Sequence, residues 1–240
     1  MNPTRLSKIL ADHALWIEGK KGRRVNLTNA DLSNCDLTGA NLRASKLPRA
    51  ILRNAILTGA NLSGADLTKS DLTGADLSRC DLTDARLTNA IMVKSNLTDA
   101  ILVHADMTDC KLTGAQLLRA DLTNAVMANA DLNGAILTGY NVPAIAHLDA
   151  RIYARITSGG GTLSIDDWHT CATTHCRAGW AITIAGEAGA KLEREVGPAA
   201  AGALIYAVSR PGRLPNFLAS HRYAMASIKA DAEADPLPAE

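Results

Sequence analysis

The chain has 240 residues and 47% of them are apolar, so a sizeable core is available, yet only 3% are aromatic and a single residue is Phe. With 25 Lys and Arg against 24 Asp and Glu, the net charge of +1 excludes both a generally basic nucleic-acid binder and a strongly acidic chain. No apolar run reaches the about 18 residues of a membrane span. The first residues carry charge throughout, unlike a secretory signal, and five cysteines, an odd number, then predict a reducing, cytoplasmic setting.

Residues 1–24 come first in the chain and predict a helical cap. From Thr4 to Ile17, Leu6, Ile9, Leu10, His13 and Trp16 recur at the spacing of one helix face. Lys20, Lys21, Arg23 and Arg24 follow and read as a solvated linker, with an anionic partner as the alternative.

From Val25 to Gly139 the sequence is an unbroken series of 23 five-residue units, such as Ala60-Asn61-Leu62-Ser63-Gly64. The third position is Leu in 20 units and Met in the other three (Met92, Met107, Met127). The first is Ala, Ser or Cys in every unit after Val25. The second is mostly Asp or Asn, the fourth is Ser or Thr in 15 units, and the fifth is mostly Gly, Asn, Asp, Arg or Lys.

A period of five is incompatible with one helix face, because each unit would rotate the Leu positions by about 140°. It is also incompatible with one continuous strand, which would send successive leucines to opposite sides. Within a unit, however, positions one to three alternate apolar, polar, apolar, which predicts a three-residue strand. Positions four and five carry turn chemistry. Short strand and turn in endless succession, always burying the same side, coil into a parallel β-solenoid with leucines stacked inside.

These units resemble the pentapeptide-repeat family, whose motif is A(D/N)LXX. The resemblance implies a mainly β fold: a right-handed quadrilateral parallel β-helix with four units per coil. Residues twenty apart would then stack on one face, which lines up Lys46, Asp66, Arg86 and Asp106 in a ladder of alternating charge. Cys35, Cys80 and Cys110 would replace Ala on three different faces, too far apart to pair.

After Gly139 the repeat fails, and residues 140–165 read as a transition and linker, opened by Tyr140-Asn141-Val142-Pro143. Residues 166–234 form a predicted helical extension. A helix capped by Thr173 or Thr174 is expected to run to Ala185, followed by helices over 188–196, 199–209 and 215–232, with 235–240 as a tail. The segment Cys171-Ala172-Thr173-Thr174-His175-Cys176-Arg177-Ala178-Gly179-Trp180 resembles a stretch found near the ends of some pentapeptide-repeat proteins. His169, Cys171, His175 and Cys176 supply zinc-ligand types. The adjacency of His175 and Cys176 spoils the usual pairing of ligands, so the segment reads first as a structural helix start, and no cofactor is expected.

Outward positions that should be polar carry Ile51, Ile56, Ile91, Ile101, Val126 and Ile136 at second places, and Val93, Val103 and Leu118 at fourth places. Ile51, Ile91 and Val93 share a predicted face and are candidate contact residues. Leu204 and Tyr206, on the small-residue segment Ala199–Tyr206, are candidates for a homodimer contact through the C-terminal region. The leading functional reading is a non-catalytic scaffold for an unidentified protein partner, with no membrane and no direct nucleic-acid contact. The family resemblance implies an alternative, a DNA mimic that binds DNA gyrase. Residues 25–139 oppose it, since 12 Asp meet 10 Lys and Arg and no Phe occupies a central position. A metal-binding or enzymatic C-terminal module is the third reading.

Overall fold

The structure, a computed structural model, describes residues 3–137, 146, 148–155, 162–163, 174–175, 177–209 and 221–238. The chain divides into two compact units, Met1–Gly139 and Tyr140–Glu240.

In the first unit the stack is held by parallel bridges between residues twenty apart, nineteen in all, from Asn26↔Lys46 to Gln116↔Ile136. Each coil is therefore twenty residues, or four pentads. Only the second residue of a pentad forms a bridge. The expected three-residue strand is thus corrected to a single paired residue, because the turns on either side leave no room for more.

The backbone accounting explains the motif, since every buried N–H needs a partner. In the interior of the stack the second-position N–H donates to a first-position carbonyl of the preceding coil, as Lys46 does to Val25 at 3.0 Å. The third donates to a second-position carbonyl of the next coil, as Leu27 does to Lys46 at 2.7 Å. The fifth donates to a fourth-position carbonyl of the next coil, as Asn34 does to Arg53 at 2.9 Å. The first closes a turn onto the third-position carbonyl two residues before the unit boundary, as Ala30 does to Leu27 at 3.0 Å. The fourth N–H has no backbone partner among the described residues.

The second-position side chain fills that gap. All thirteen second-position Asp and Asn residues accept the fourth-position N–H on Oδ1 at 2.9–3.3 Å. This is an Asx turn, and Asp and Asn are chosen because their side-chain oxygen reaches the backbone two residues on. Pro48, which has no N–H to satisfy, stands at a fourth position in a unit whose second residue is Lys46.

The fifth residue turns the chain. Every described fifth position from Asn29 to Gly134 has φ between +52° and +67°. Gly tolerates this without strain and Asn nearly so. Arg, Lys, His104 and Ala44 also adopt it, held there by the hydrogen bonds of the neighbouring coils.

The core is aliphatic. Third-position side chains from Leu27 to Leu132 are all 4% exposed or less, with first-position Ala, Cys and Ser packed between them. Ser45 and Ser70 are buried there with no hydrogen-bond partner, whereas Ser95 donates to the Met92 carbonyl at 2.8 Å. At the open N-terminal end, α1 (Pro3–Ile17) docks through Leu6 and His13, both buried.

The second unit contains α2 (Leu148–Arg155), a two-residue parallel pairing of β1 (Thr162–Leu163) with β2 (Thr174–His175), then α3 (Arg177–Ile184), α4 (Gly186–Val196), α5 (Pro198–Ser209) and α6 (His221–Ala234). Helix α2 falls where a linker was expected. The helix expected from Thr174 instead starts at Arg177, because Thr174 and His175 are engaged in β2. α5 packs on α3 and α4, and α2 packs on α6. Gly189 lets α4 approach α3 closely, since a Cβ there would strike the Ile182 carbonyl. Among the described residues no helix is long and apolar enough to cross a membrane.

Candidate interaction surface

The side chains of the solenoid are largely committed to the fold. The second-position carboxylates face outward, yet each is bound to its own turn. Asp31 and Asp36 lie below the usual carboxylate value chiefly because Ser33 and Thr38 donate side-chain hydrogen bonds to them. At Asp66 burial pushes upward, but the hydroxyl and N–H of Thr68, followed by the attraction of Arg86 and Arg24, outweigh it and hold the carboxyl low. Asp76 is pushed up by burial and held down by Ser78 in its own turn and by Thr58 and Asn96, whose side chains donate to it from neighbouring coils.

The charge ladder occupies one column, as the bridges Lys46↔Asp66, Asp66↔Arg86 and Arg86↔Asp106 demonstrate. Its contacts are loose, with Arg86 3.9 Å from Asp66. Closer pairs lie elsewhere: Arg53 to Asp71 at 2.6 Å, and Arg119 to Asp99 through two bonds at 2.7 and 2.8 Å. Exposed pairs of this kind contribute about 0–1 kcal/mol each. The Asx turns recur in every Asp and Asn unit, whereas the ladder is confined to one column.

Two of the three thiols of the stack, Cys80 and Cys110, are buried and Cys35 is half-buried. Burial pushes the Cys80 thiol up to about 12, and its Sγ donates to the Leu57 carbonyl at 2.7 Å. Cys110 is raised for the same reason and donates to Leu87 at 2.9 Å.

Several outward apolar residues make no Asx turn. Ile51 and Ile91 stand in one column with Asp71 between them, and Val93 is two residues from Ile91; Ile51 is exposed, whereas Ile91 and Val93 are half-buried. Ile56 and Ile136 occupy a second column, Ile101 a third, and Ile51, Ile56, Ile101 and Ile136 are exposed. These residues are distributed along the rod instead of gathered into one large patch.

Leu204 and Tyr206 are placed differently. Both are buried inside the second unit, where α5 is covered by α3 and α4. A helix apolar all round needs such cover. The small-residue segment thus closes a contact within the chain, and these two side chains are not on a surface a partner can reach. His169, Cys171 and Cys176 lie outside the described residues, as does the side chain of His175. Among the described residues no group of three metal-ligating side chains converges.

Sequence reasoning did not anticipate the role of His13. Its Nδ1 accepts the Val25 N–H at 3.2 Å and its Nε2 donates to the Arg43 carbonyl at 3.1 Å, so one buried ring ties α1 to the beginning and the end of the first coil. Trp16 stacks on it at 5.5 Å, and Arg24 lies 5.9 Å from the Trp16 ring centroid. The signal was its place on the apolar face of α1. Beside Trp16 opens a hollow of about 270 Å³, lined by Trp16, Ile17, Arg43 and Ala44.

A family model described as pentapeptide repeats matches in 8 copies, with matches over residues 23–59, 35–74, 60–99 and 100–139. Among solved structures, a pentapeptide repeat protein from the thylakoid lumen of Arabidopsis thaliana is 26% identical, with 55% of this chain and 75% of that chain covered and a TM-score of 0.33. The pentapeptide repeat protein Rfr23 from the cyanobacterium Cyanothece 51142 is 34% identical over 45% of this chain and 63% of its own, with a TM-score of 0.30. QnrB1, a plasmid-mediated fluoroquinolone resistance protein, is 22% identical over 47% of this chain and 66% of its own, with a TM-score of 0.26. No curated protein matches the chain.

Proposed function

The chain belongs to the pentapeptide-repeat family through residues 23–139, and from that premise we propose that it is a non-catalytic scaffold whose solenoid presents its outer faces to a protein partner. We take the coil to be right-handed and four-sided, with 23 units. The observation that carries this reading is the division of labour in the repeat. Interior positions are packed with Leu, Met and Ala, the Asp and Asn side chains are spent on turns, and the outward isoleucines make no Asx turn. Apolar side chains held outward on a rigid rod favour docking to another macromolecule.

Ile51, Ile91 and Val93 are the proposed contact column. Homodimerisation through the second unit remains part of the proposal only through residues other than Leu204 and Tyr206. The gyrase-binding reading has less support, because a DNA mimic needs free and dense negative charge, and here the carboxylates are tied to turns in a repeat that is nearly neutral. Affinity capture from native cells tests the proposal, with the wild-type chain compared against an Ile51→Asn/Ile91→Asn double variant, which adds no charge beside Asp71. A partner held by the wild type and released by the variant supports it. An identical set of captured proteins from both refutes it.

A further inference from the structure

We propose that the hollow beside Trp16 is a docking site for an acidic segment of a partner protein, which inserts one aliphatic side chain there. The inference rests on the reading of the chain as a protein scaffold and adds the chemistry of a partner, at a surface separate from the isoleucine columns.

Charge is unevenly placed along the first unit. Residues 1–54 carry ten Lys and Arg against four carboxylates, and residues 55–139 carry six against ten. The fold brings several of the early cations to the hollow. Gly22 lets the chain return against α1, since a Cβ there would strike the Asp12 carbonyl, and the Arg23 N–H donates to that carbonyl at 3.2 Å. Arg24 then lies over the Trp16 ring and donates to the Ala44 carbonyl, and Arg43 lines the hollow itself. Lys21, Arg23 and Arg43 are exposed and form no ion pair among the described residues. A carboxylate-rich ligand supplies the counter-charge that the chain does not, and steers the encounter.

The hollow adds an apolar recess to this basic rim. Trp16, Ile17 and Ala44 line it, and its volume of about 270 Å³ gives room for one aliphatic residue. Trp16 and its neighbour Leu15 are 37% and 40% exposed, so an inserted side chain would remove apolar surface from water on both partners. Other anionic partners fit less well. A nucleic acid needs an open aromatic face for its bases, whereas the Trp16 ring is already stacked on His13 at 5.5 Å with Arg24 over it. A lipid surface is met by apolar side chains that protrude, whereas Ile17 and Ala44 line a recess.

Fluorescence anisotropy of a labelled Glu-Asp-Glu-Leu-Glu-Asp-Glu peptide, titrated with the full chain at low salt, tests this. The wild type is expected to bind it and to release it as salt rises towards about 1 M, where the Debye length falls to about 3 Å. The same peptide with Ala in place of Leu should bind about tenfold more weakly, the order expected from a lost aliphatic anchor. Arg43→Glu and Arg23→Glu chains should each lose about tenfold for the Leu peptide. Both side chains are exposed, and Arg43 serves the cap through its backbone carbonyl, so α1 stays in place. No binding by the wild type, equal binding of the two peptides, or indifference to both substitutions overturns the inference. Tighter association with a single-stranded oligonucleotide or with phosphatidylserine vesicles, weakened by Arg43→Glu, overturns it in favour of that partner. The Ile51→Asn/Ile91→Asn chain should hold the peptide as the wild type does; a loss there would move the peptide to the isoleucine column and refute the hollow. Failure of the peptide leaves the capture comparison from native cells standing, so the two readings fail separately.

Discussion

Ser45 and Ser70 offer a sharp energetic test of the solenoid interior. Both occupy first positions, are fully buried, and carry hydroxyl oxygens with no hydrogen-bond partner. A buried polar group left unpaired costs about 1–3 kcal/mol. Ala fills most other first positions, and replacing Ser with Ala removes the hydroxyl while leaving only a small gap. Ser45→Ala and Ser70→Ala should therefore each stabilise the first unit, by about 1 kcal/mol once the lost packing is subtracted. Ser95 is the internal control, since its hydroxyl donates to the Met92 carbonyl at 2.8 Å. Ser95→Ala should be neutral or cost up to about 1 kcal/mol. Urea unfolding followed by far-ultraviolet circular dichroism, with hydrogen exchange of the coil amides to separate the two units, reads the differences. If Ser45→Ala destabilises by as much as Ser95→Ala or more, the hydroxyl has a partner and the packing described above is wrong.

The remaining predictions concern the turns, the cap and the thiols. Val103→Pro places proline at a fourth position whose N–H has no backbone acceptor, in a unit led by Ile101, and should be tolerated or add about 0.5–1 kcal/mol. Asp84→Pro, at φ +56°, should abolish cooperative unfolding in the same denaturation experiment. Protonation of His13 would leave Nδ1 unable to accept the Val25 N–H, and burial, though opposed by the Arg43 carbonyl, lowers its pKa from 6.5, aided by Arg24. The folded state thus binds fewer protons than the unfolded one, so the cap's contribution is complete above about pH 6.5 and lost as the pH falls through the lower folded value. Amide exchange in α1 should accelerate across that window while the coils stay protected; uniform protection of α1 down to pH 4 would contradict the assignment. The carboxylates of Asp31, Asp36, Asp66, Asp71, Asp76 and Asp106, held low, should fail only below their ordinary range, at more acidic pH than the cap. Iodoacetamide at pH 8 should leave Cys80 and Cys110 unmodified in the folded protein and label both after denaturation, with rapid native labelling as the contrary result.

Much of the first unit was legible because the pentad repeats its physics in every unit. Leu or Met at every third place and small residues at every first place after Val25 dictate a narrow aliphatic interior, and Gly or Asn at the fifth announces the left-handed turn. The length of the paired segment was not legible, because alternation over three residues looks the same whether one residue bridges or all three do. Nor was the purpose of Asp and Asn apparent as such: only the accounting of N–H groups shows that the fourth one lacks a backbone acceptor and that Oδ1 supplies it. His13 was read as one apolar-face residue among five, since periodicity reports burial and says nothing of what a ring nitrogen meets. In the second unit, Ala199–Tyr206 looked like an outward packing face because small residues permit close approach of any helix; whether that helix belongs to the same chain is a tertiary fact. The column shared by Ile51 and Ile91 followed from the twenty-residue period implied by the family resemblance, and the bridges place both there.

The most direct test of the whole account restores the motif where it is broken. Replacing Ile51, Ile56, Ile91 and Ile101 together with Asn should create four new Asx turns without stacking a carboxylate on the Asp residues that adjoin each of them in its column. If the isoleucines serve docking alone, thermal unfolding of the variant stays within about 0.5 kcal/mol per site of the wild type or improves, while the partner captured by the wild type is lost. A large loss of stability with the partner still bound would show that these side chains hold the rod together, and that its binding surface lies elsewhere.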